Sequence, residues 1–153
     1  MKLSLFSVGK LKEPFVVQGV REYLKRVERH LPLEWVQLPE TKGLNASSSR
    51  DDSTRRILKA LGERDFVVLL DERGAMMDSP AFSRWFYSRL EDVSGKIVFV
   101  VGGAYGVGQD LRRRADALLS LSPMTLTHEL ALLFVAEQLY RAVMIRLGTS
   151  YHH

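Results

Sequence analysis

The stretch from Ile97 to Gly108 constrains this chain more than any other. An apolar, β-prone run, Ile97-Val98-Phe99-Val100-Val101, passes directly into Gly102-Gly103-Ala104-Tyr105-Gly106-Val107-Gly108. A strand that is apolar at every position is buried on both faces, which calls for a sheet with helices on each side. Nearly bare backbone at the carboxyl end of such a strand is where an open α/β sheet takes its ligands.

The remaining pattern agrees with that architecture. Leu3 to Val8 and Leu33 to Leu38 read as strands, the second stopped by Pro39. Glu13 to Arg29 has a helical apolar period at Phe15, Val16, Val20, Tyr23, Leu24 and Val27, with Pro14 suited to its first turn. Glu40 to Ser49 is polar and reads as a mobile loop, followed by a short helix from Arg50 to Leu61. Phe66 to Leu70 is a third, fully apolar strand, and Asp71-Glu72-Arg73-Gly74 is the loop at its carboxyl end. Ser79-Pro80 opens a helix as cap and first residue, with Trp85 and Phe86 as core aromatics. A short helix at Asp110 to Arg114, a strand at Asp116 to Leu121 and a long helix at Glu129 to Leu147 complete the chain. Strands alternating with helices predict an α/β fold, a mostly parallel sheet with helices on both faces. No linker or repeat divides the chain, so 1–153 is expected to be one domain.

Composition excludes several function classes. The 46% apolar and 26% charged content belongs to an ordinary globular protein. Absence of cysteine removes disulfides, thiolate nucleophiles and cysteine zinc sites, and no metal-spaced histidine cluster occurs. The start is too weakly apolar for a secretory signal, and the longest apolar run, Leu130 to Ala136, is far short of a membrane span. A cytoplasmic location without membrane contact is the expectation. The net charge of +4 suits a polyanionic partner such as RNA, or simply a basic surface. Arg21, Lys25 and Arg29 would line one helix face; Arg50, Arg55, Arg56 and Lys59 cluster next, then Arg112, Arg113 and Arg114.

The glycine turn is neither a P-loop nor a dinucleotide fingerprint. No Gly-Lys-Ser/Thr follows, and the order Gly103-x-x-Gly106-x-Gly108 is the reverse of the dinucleotide spacing. By itself it is equally a plain tight turn. In a parallel sheet, however, Leu70-Asp71, Gly102-Gly103 and Ser122 to Thr127 all leave carboxyl ends of strands and open on one edge. Such loops could hold a nucleoside-like ligand through backbone groups, with its ring on Leu70, Met124 and Leu126. That would suit a cationic sulfonium cofactor carrying an adenine. Glu137 and Arg141, four apart, can pair on the last helix beside Tyr140, either as a routine salt bridge or as part of a site. His128 near the helix start and the tail Tyr151-His152-His153 are open to both structural and functional readings.

At these residues the chain resembles the bacterial ribosomal RNA large subunit methyltransferase H family, a single-domain group of the SPOUT class. The resemblance begins at Met1-Lys2-Leu3 and Val8-Gly9-Lys10. It runs through Glu22-Tyr23-Leu24-Lys25-Arg26, Leu69-Leu70-Asp71, Ser79-Pro80 and Gly102-Gly103-Ala104-Tyr105-Gly106. It ends with Ser120-Leu121-Ser122 through Leu126-Thr127-His128, Ala136 to Ala142, and Tyr151-His152. Each motif is short; their order, spacing and the matching length make the resemblance specific.

The resemblance implies a carboxyl-terminal trefoil knot, an exception to unknotted topology, with Ser122 to Thr127 belonging to it. It implies S-adenosyl-L-methionine bound in bent form by Leu70, Gly103, Ser122, Pro123, Met124, Thr125, Leu126 and Thr127. It implies a homodimer with the active site shared between subunits. The implied substrate is a pseudouridine of 23S rRNA in the assembled ribosome, methylated on a ring nitrogen, N-3. In that reaction Arg141 would stabilise the anionic ring, Glu137 would orient Arg141, and His128, Tyr151 or His152 would relay the proton. The chain departs from the family in two places. Members often end Tyr-His-Lys or Tyr-His-Arg, whereas this chain ends Tyr151-His152-His153, and Gly43 to Thr54 matches poorly. Competing expectations are a SPOUT enzyme acting on transfer RNA, a ribosome-binding factor without catalysis, and a small nucleotide-binding module.

Overall fold

A computed structural model describes Leu3–His153; Met1 and Lys2, where the resemblance begins, lie outside the described residues. Among the described residues five strands and five helices alternate: β1 (Leu3–Val8), α1 (Pro14–Glu28), β2 (Leu33–Leu38), α2 (Ala46–Ala60), β3 (Phe66–Ala75), α3 (Ser79–Asp92), β4 (Ile97–Val100), α4 (Gln109–Arg114), β5 (Ala117–Leu119) and α5 (His128–Leu147). The strands form one sheet in the order β2-β1-β4-β3-β5, and every neighbouring pair is parallel.

Alternation along the buried strands sorts the helices onto two faces. Leu3 and Leu5 of β1, Ile97 and Phe99 of β4 and Val68 of β3 face a core shared with Val16 and Val20 of α1, Phe82 and Phe86 of α3 and Leu132 and Leu139 of α5. Phe6, Val8, Val98, Val100, Val67 and Leu69 face the opposite core, closed by Ile57 of α2 and Leu111 of α4. Both faces of the sheet are therefore covered, as the apolar runs require. Trp85 and Phe86 are packing residues: Phe86 is fully buried, and Trp85 lies against Phe82 with ring centroids 6.1 Å apart.

The elements differ from expectation at four places, each for a local reason. The polar stretch read as a loop to Ser49 turns helical at Ala46, because the Asn45 side chain accepts the Ser48 N–H at 2.8 Å and caps α2. Ser53 and Thr54 then return their hydroxyls to the Arg50 carbonyl at 3.1 and 2.7 Å, which lets a serine-rich helix bury one side. Strand β3 continues past Leu70 through the segment read as a loop, with an irregular register to β5 between Leu70 and Ala75. Strand β5 is correspondingly short: the Asp116 carboxylate accepts the Val67 N–H at 2.8 Å in front of it. Asp78 rather than Ser79 caps α3, accepting the Ala81 N–H at 2.8 Å, which frees the Ser79 hydroxyl to donate to Gln138 Oε1 at 2.7 Å.

Candidate active site

Because the strands are parallel, the carboxyl ends of β3, β4 and β5 share one edge, and three chain segments meet there. They enclose a cleft of about 550 Å³ lined by Leu70 to Glu72, by the glycine turn from Val101, and by the loop leading into α5. The turn closes on itself with the Gly106 N–H donating to the Gly103 carbonyl at 3.0 Å. The third segment is fastened along its length. Ser120 Oγ donates to the Ser122 carbonyl at 3.1 Å, and Ser122 Oγ accepts the Met124 N–H at 3.0 Å. Thr125 Oγ1 donates to Glu72 Oε2 at 2.9 Å, and Thr127 caps α5 by accepting the Leu130 N–H at 3.2 Å.

Of the residues expected here, Leu70, Gly103, Ser122, Met124, Thr125, Leu126, Thr127 and His128 all line the cleft. Pro123 is exposed and does not. Three charged side chains also line it: Asp71, whose loop was expected at this edge, and Glu72 and Arg112, to which the sequence assigned no binding role. The Asp71 carboxylate, nearly buried, pairs with the Arg112 guanidinium across the cleft floor. Asp71 and Glu72 were findable, since they follow a buried strand's carboxyl end. Arg112 carried no signal beyond its place in a basic run.

The other expected site residues gather elsewhere. Glu137 Oε1 receives Arg141 Nη2 at 2.7 Å, Arg141 Nε at 3.0 Å and the Tyr151 hydroxyl at 2.9 Å. Arg141 Nη1 lies 3.1 Å from His152 Nδ1, and its guanidinium carbon is 4.8 Å from the centre of the Tyr151 ring. A guanidinium only donates, so Nδ1 accepts and the neutral imidazole carries its proton on Nε2. Burial of the phenol, reinforced by the Glu137 carboxylate, holds the Tyr151 pKa far above its ordinary value. The hydrogen bonds to Glu137 raise that of Arg141. Within one chain His128 and Arg141 stand thirteen positions apart on α5, about 20 Å along the axis at 1.5 Å per residue. His152 lines a second cavity of about 430 Å³ that shares Leu119 and Leu121 with the cleft.

A family described as "Predicted SPOUT methyltransferase" matches residues 1–152. The chain belongs to the SPOUT methyltransferase family. Curated relatives named ribosomal RNA large subunit methyltransferase H are similar over their whole length. The protein from Cytophaga hutchinsonii is 36% identical over 155 residues and that from Trichlorobacter lovleyi 39% over 153, each with 100% of both chains covered. Among solved structures, a probable methyltransferase from Bordetella pertussis superposes with a TM-score of 0.61 over 93% of this chain and 94% of its own, at 14% identity; it supports the fold.

SPOUT methyltransferases use S-adenosylmethionine, and the cleft of this family member has the chemistry for it. Leu70, Leu126 and Ala131 offer apolar walls to an adenine, while the Gly102-Gly103 and Ser122 to Thr127 backbones offer hydrogen bonds. Two carboxylates against one guanidinium leave the lining with one net negative charge, the complement of a cofactor carrying one net positive charge. Among the described residues no group of side chains could hold a metal ion, and no helix is long and apolar enough to cross a membrane.

Proposed function

We propose that this SPOUT methyltransferase transfers a methyl group to N-3 of a pseudouridine in 23S rRNA, acting as a homodimer on the assembled ribosome in the cytoplasm. The observation that carries the reading is identity of 36–39% to rRNA large subunit methyltransferase H proteins over the whole of both chains. The cleft supports it, since the loop from Ser122 to Thr127, implied to be part of the trefoil knot, lies against Leu70 to Glu72 and Gly102-Gly103 as a cofactor pocket requires.

S-adenosylmethionine, when bound by Leu70, Gly103 and the Ser122 to Thr127 loop, supplies a methyl group already activated on a sulfonium. What remains for the protein is to position the ring nitrogen, remove its proton and stabilise the anionic ring. Arg141 suits the stabilising role, because it is permanently charged and held by Glu137 in one orientation. Tyr151 does not suit proton removal, because its raised pKa keeps it protonated; it holds Glu137 in place. His152 suits it, since a guanidinium turning toward the ring would release Nδ1 as an acceptor. His128, on the cleft wall, is the second acceptor.

The 20 Å between His128 and Arg141 supports a shared site, in which the cleft of one subunit is completed by the Arg141 cluster of the other. Leu130 and Phe134, both apolar, are 41% and 39% exposed on α5 between those positions, where a second subunit would cover them.

The test is transfer of radiolabel from S-adenosylmethionine to ribosomes lacking the modification, with free large subunits and transfer RNA alongside. Label in 23S rRNA of assembled ribosomes alone is the expected result. Label in transfer RNA would move the enzyme to another substrate, and failure to bind cofactor would leave a non-catalytic ribosome-binding factor. For the shared site, Arg141→Ala and the cleft-blocking Leu126→Arg are each inactive alone. Mixed as subunits they should recover about a quarter of wild-type activity, because half the dimers then carry one intact composite site. No recovery would place the whole site in one subunit.

A further inference from the structure

The cations of this protein are unevenly committed. Of its 22 lysines and arginines, 21 are among the described residues, and twelve of these sit in ion pairs with carboxylates. The basic runs elsewhere are largely spent in this way. Arg55 and Arg56 both pair with Asp52, Arg112 with Asp71, and Arg113 with Asp110. Arg114 reaches the Gly62 and Asp65 carbonyls at 2.9 Å each.

Nine cations have no carboxylate partner among the described residues, and five of the nine fall between 10 and 29: Lys10, Lys12, Arg21, Lys25 and Arg29. All five are exposed. With Arg26 they make six cations against three acids, so this segment carries three of the chain's four net positive charges. Glu22 is tied to Arg26 at 3.1 Å, which leaves Glu28 as the acid beside the free cations of α1. Arg21, Lys25 and Arg29 recur every four residues, about 6 Å apart along the axis, on the side of α1 turned away from the buried Val16, Val20, Leu24 and Val27. Lys12, Gln18, Arg21 and Lys25 border a shallow groove of about 530 Å³.

The strip is also anchored to the active-site edge. The Lys12 and Glu13 N–H groups donate to Glu129 Oε1 at 3.0 and 3.1 Å, and Glu129 adjoins His128 on the cleft wall. The row of free charge therefore starts beside the cleft and runs outward along α1. A row of unneutralised, exposed cations with regular spacing fits a polyanion's backbone, which binds by releasing its counterions.

We propose that the face of α1 bearing Arg21, Lys25 and Arg29, continued by Lys10 and Lys12, binds the phosphate backbone of the substrate RNA and leads it to the cleft. This rests on the rRNA methyltransferase reading and assigns the surface by which the RNA is held. The triple variant Arg21→Ala, Lys25→Ala, Arg29→Ala is compared with Lys42→Ala, Arg64→Ala, Arg84→Ala, which removes equal charge from exposed, unpaired cations elsewhere. The strip variant should raise KM for ribosomes about tenfold or more, with kcat and cofactor affinity little changed. Its binding to a single-stranded oligoribonucleotide should show a salt slope lower by about 2, three contacts at roughly 0.7 each. The control variant should show neither effect. Equal losses in the two variants would mean bulk charge alone, and an unchanged strip variant would mean no contact; either result overturns the assignment. If the wild-type protein labels no rRNA, the methyltransferase reading fails separately, and the oligoribonucleotide slopes still decide whether α1 binds a phosphate backbone.

Discussion

Tyr151 donates its hydroxyl to Glu137 Oε1 at 2.9 Å, the same oxygen that anchors Arg141. The chain's tail is thereby fixed to α5. Burial, then the neighbouring carboxylate, raises the Tyr151 pKa. The sign follows directly: a group whose folded pKa lies above its unfolded value adds stability below the unfolded value, near 10 for tyrosine, and loses it as pH rises through the folded value. Tyr151→Phe should therefore be less stable than wild type at neutral pH, with the gap narrowing as the medium becomes strongly alkaline. Thermal unfolding of both proteins across that range checks this. If, as proposed, the phenol stays protonated and only holds Glu137, the same variant should retain methyl transfer within about one order of magnitude. A loss as large as that of Arg141→Ala would show the phenol taking part in the chemistry.

Arg141 spends three donors in one fixed arrangement: Nε and Nη2 on Glu137 and Nη1 toward His152. A lysine keeps the charge but cannot reproduce that fork. Arg141→Lys should consequently lose about 10²–10³ in kcat, the range for removing one preorganised electrostatic donor, and fall close to Arg141→Ala. Cofactor affinity measured by calorimetry should stay near wild type in both, because Arg141 is not among the residues that line the cofactor cleft within its own subunit and is assigned to the substrate ring. A lysine variant with near-normal kcat would mean that charge alone, without geometry, suffices.

Much of this arrangement was legible from residue pattern alone, and the exceptions have definite causes. Ile97 to Val100 announced itself because a strand buried on both faces leaves no polar position, and Leu3 to Val8 did so as a β-prone run whose two serines, Ser4 and Ser7, are buried. The loop from Ser122 to Thr127 stood out as polar chain between two apolar segments. Asn45 was hidden as a cap by the serines after it, which favour turns in isolation and turn helical here under the cap and tertiary packing. The pairing of Glu137 with Arg141 follows from helical spacing, but the return of Tyr151 and His152 onto it does not. That return depends on Gly148, whose left-handed backbone (φ +69°) ends α5 and turns the tail back. The pairing of Arg112 with Asp71 has no local signature; it joins α4 to the extension of β3, which only the fold brings together.

Glu129 joins two elements far apart in the chain. Its carboxylate, 8% exposed, accepts the Lys12 and Glu13 N–H groups at 3.0 and 3.1 Å while sitting in the first turn of α5, where negative charge is favoured. Glu129→Ala orphans two backbone donors and should cost about 2–3 kcal/mol in urea unfolding. Glu129→Gln keeps a carbonyl oxygen at the same place and should cost about 1 kcal/mol. Equal losses for the two would mean that side-chain volume, and not the acceptor, holds α1 to α5.

Gly74 controls how closely the extension of β3 approaches β5. A methyl group built there would lie 2.5 Å from both the carbonyl carbon and the oxygen of Leu118, backbone atoms that cannot rotate away. The two strands would have to separate, and both border the cleft: Leu70 and Glu72 from one, Leu119 and the loop after it from the other. Gly74→Ala should therefore destabilise the fold by about 1–3 kcal/mol, the usual range for forcing extra volume into a packed site. It should also weaken cofactor binding, since Thr125 Oγ1 would lose its registration on Glu72 Oε2. The two effects are separable by measuring affinity well below the melting temperature, where the variant remains folded. An affinity equal to wild type in that regime would mean that the cleft is shaped by the glycine turn and the α5 loop alone, independently of the contact between β3 and β5.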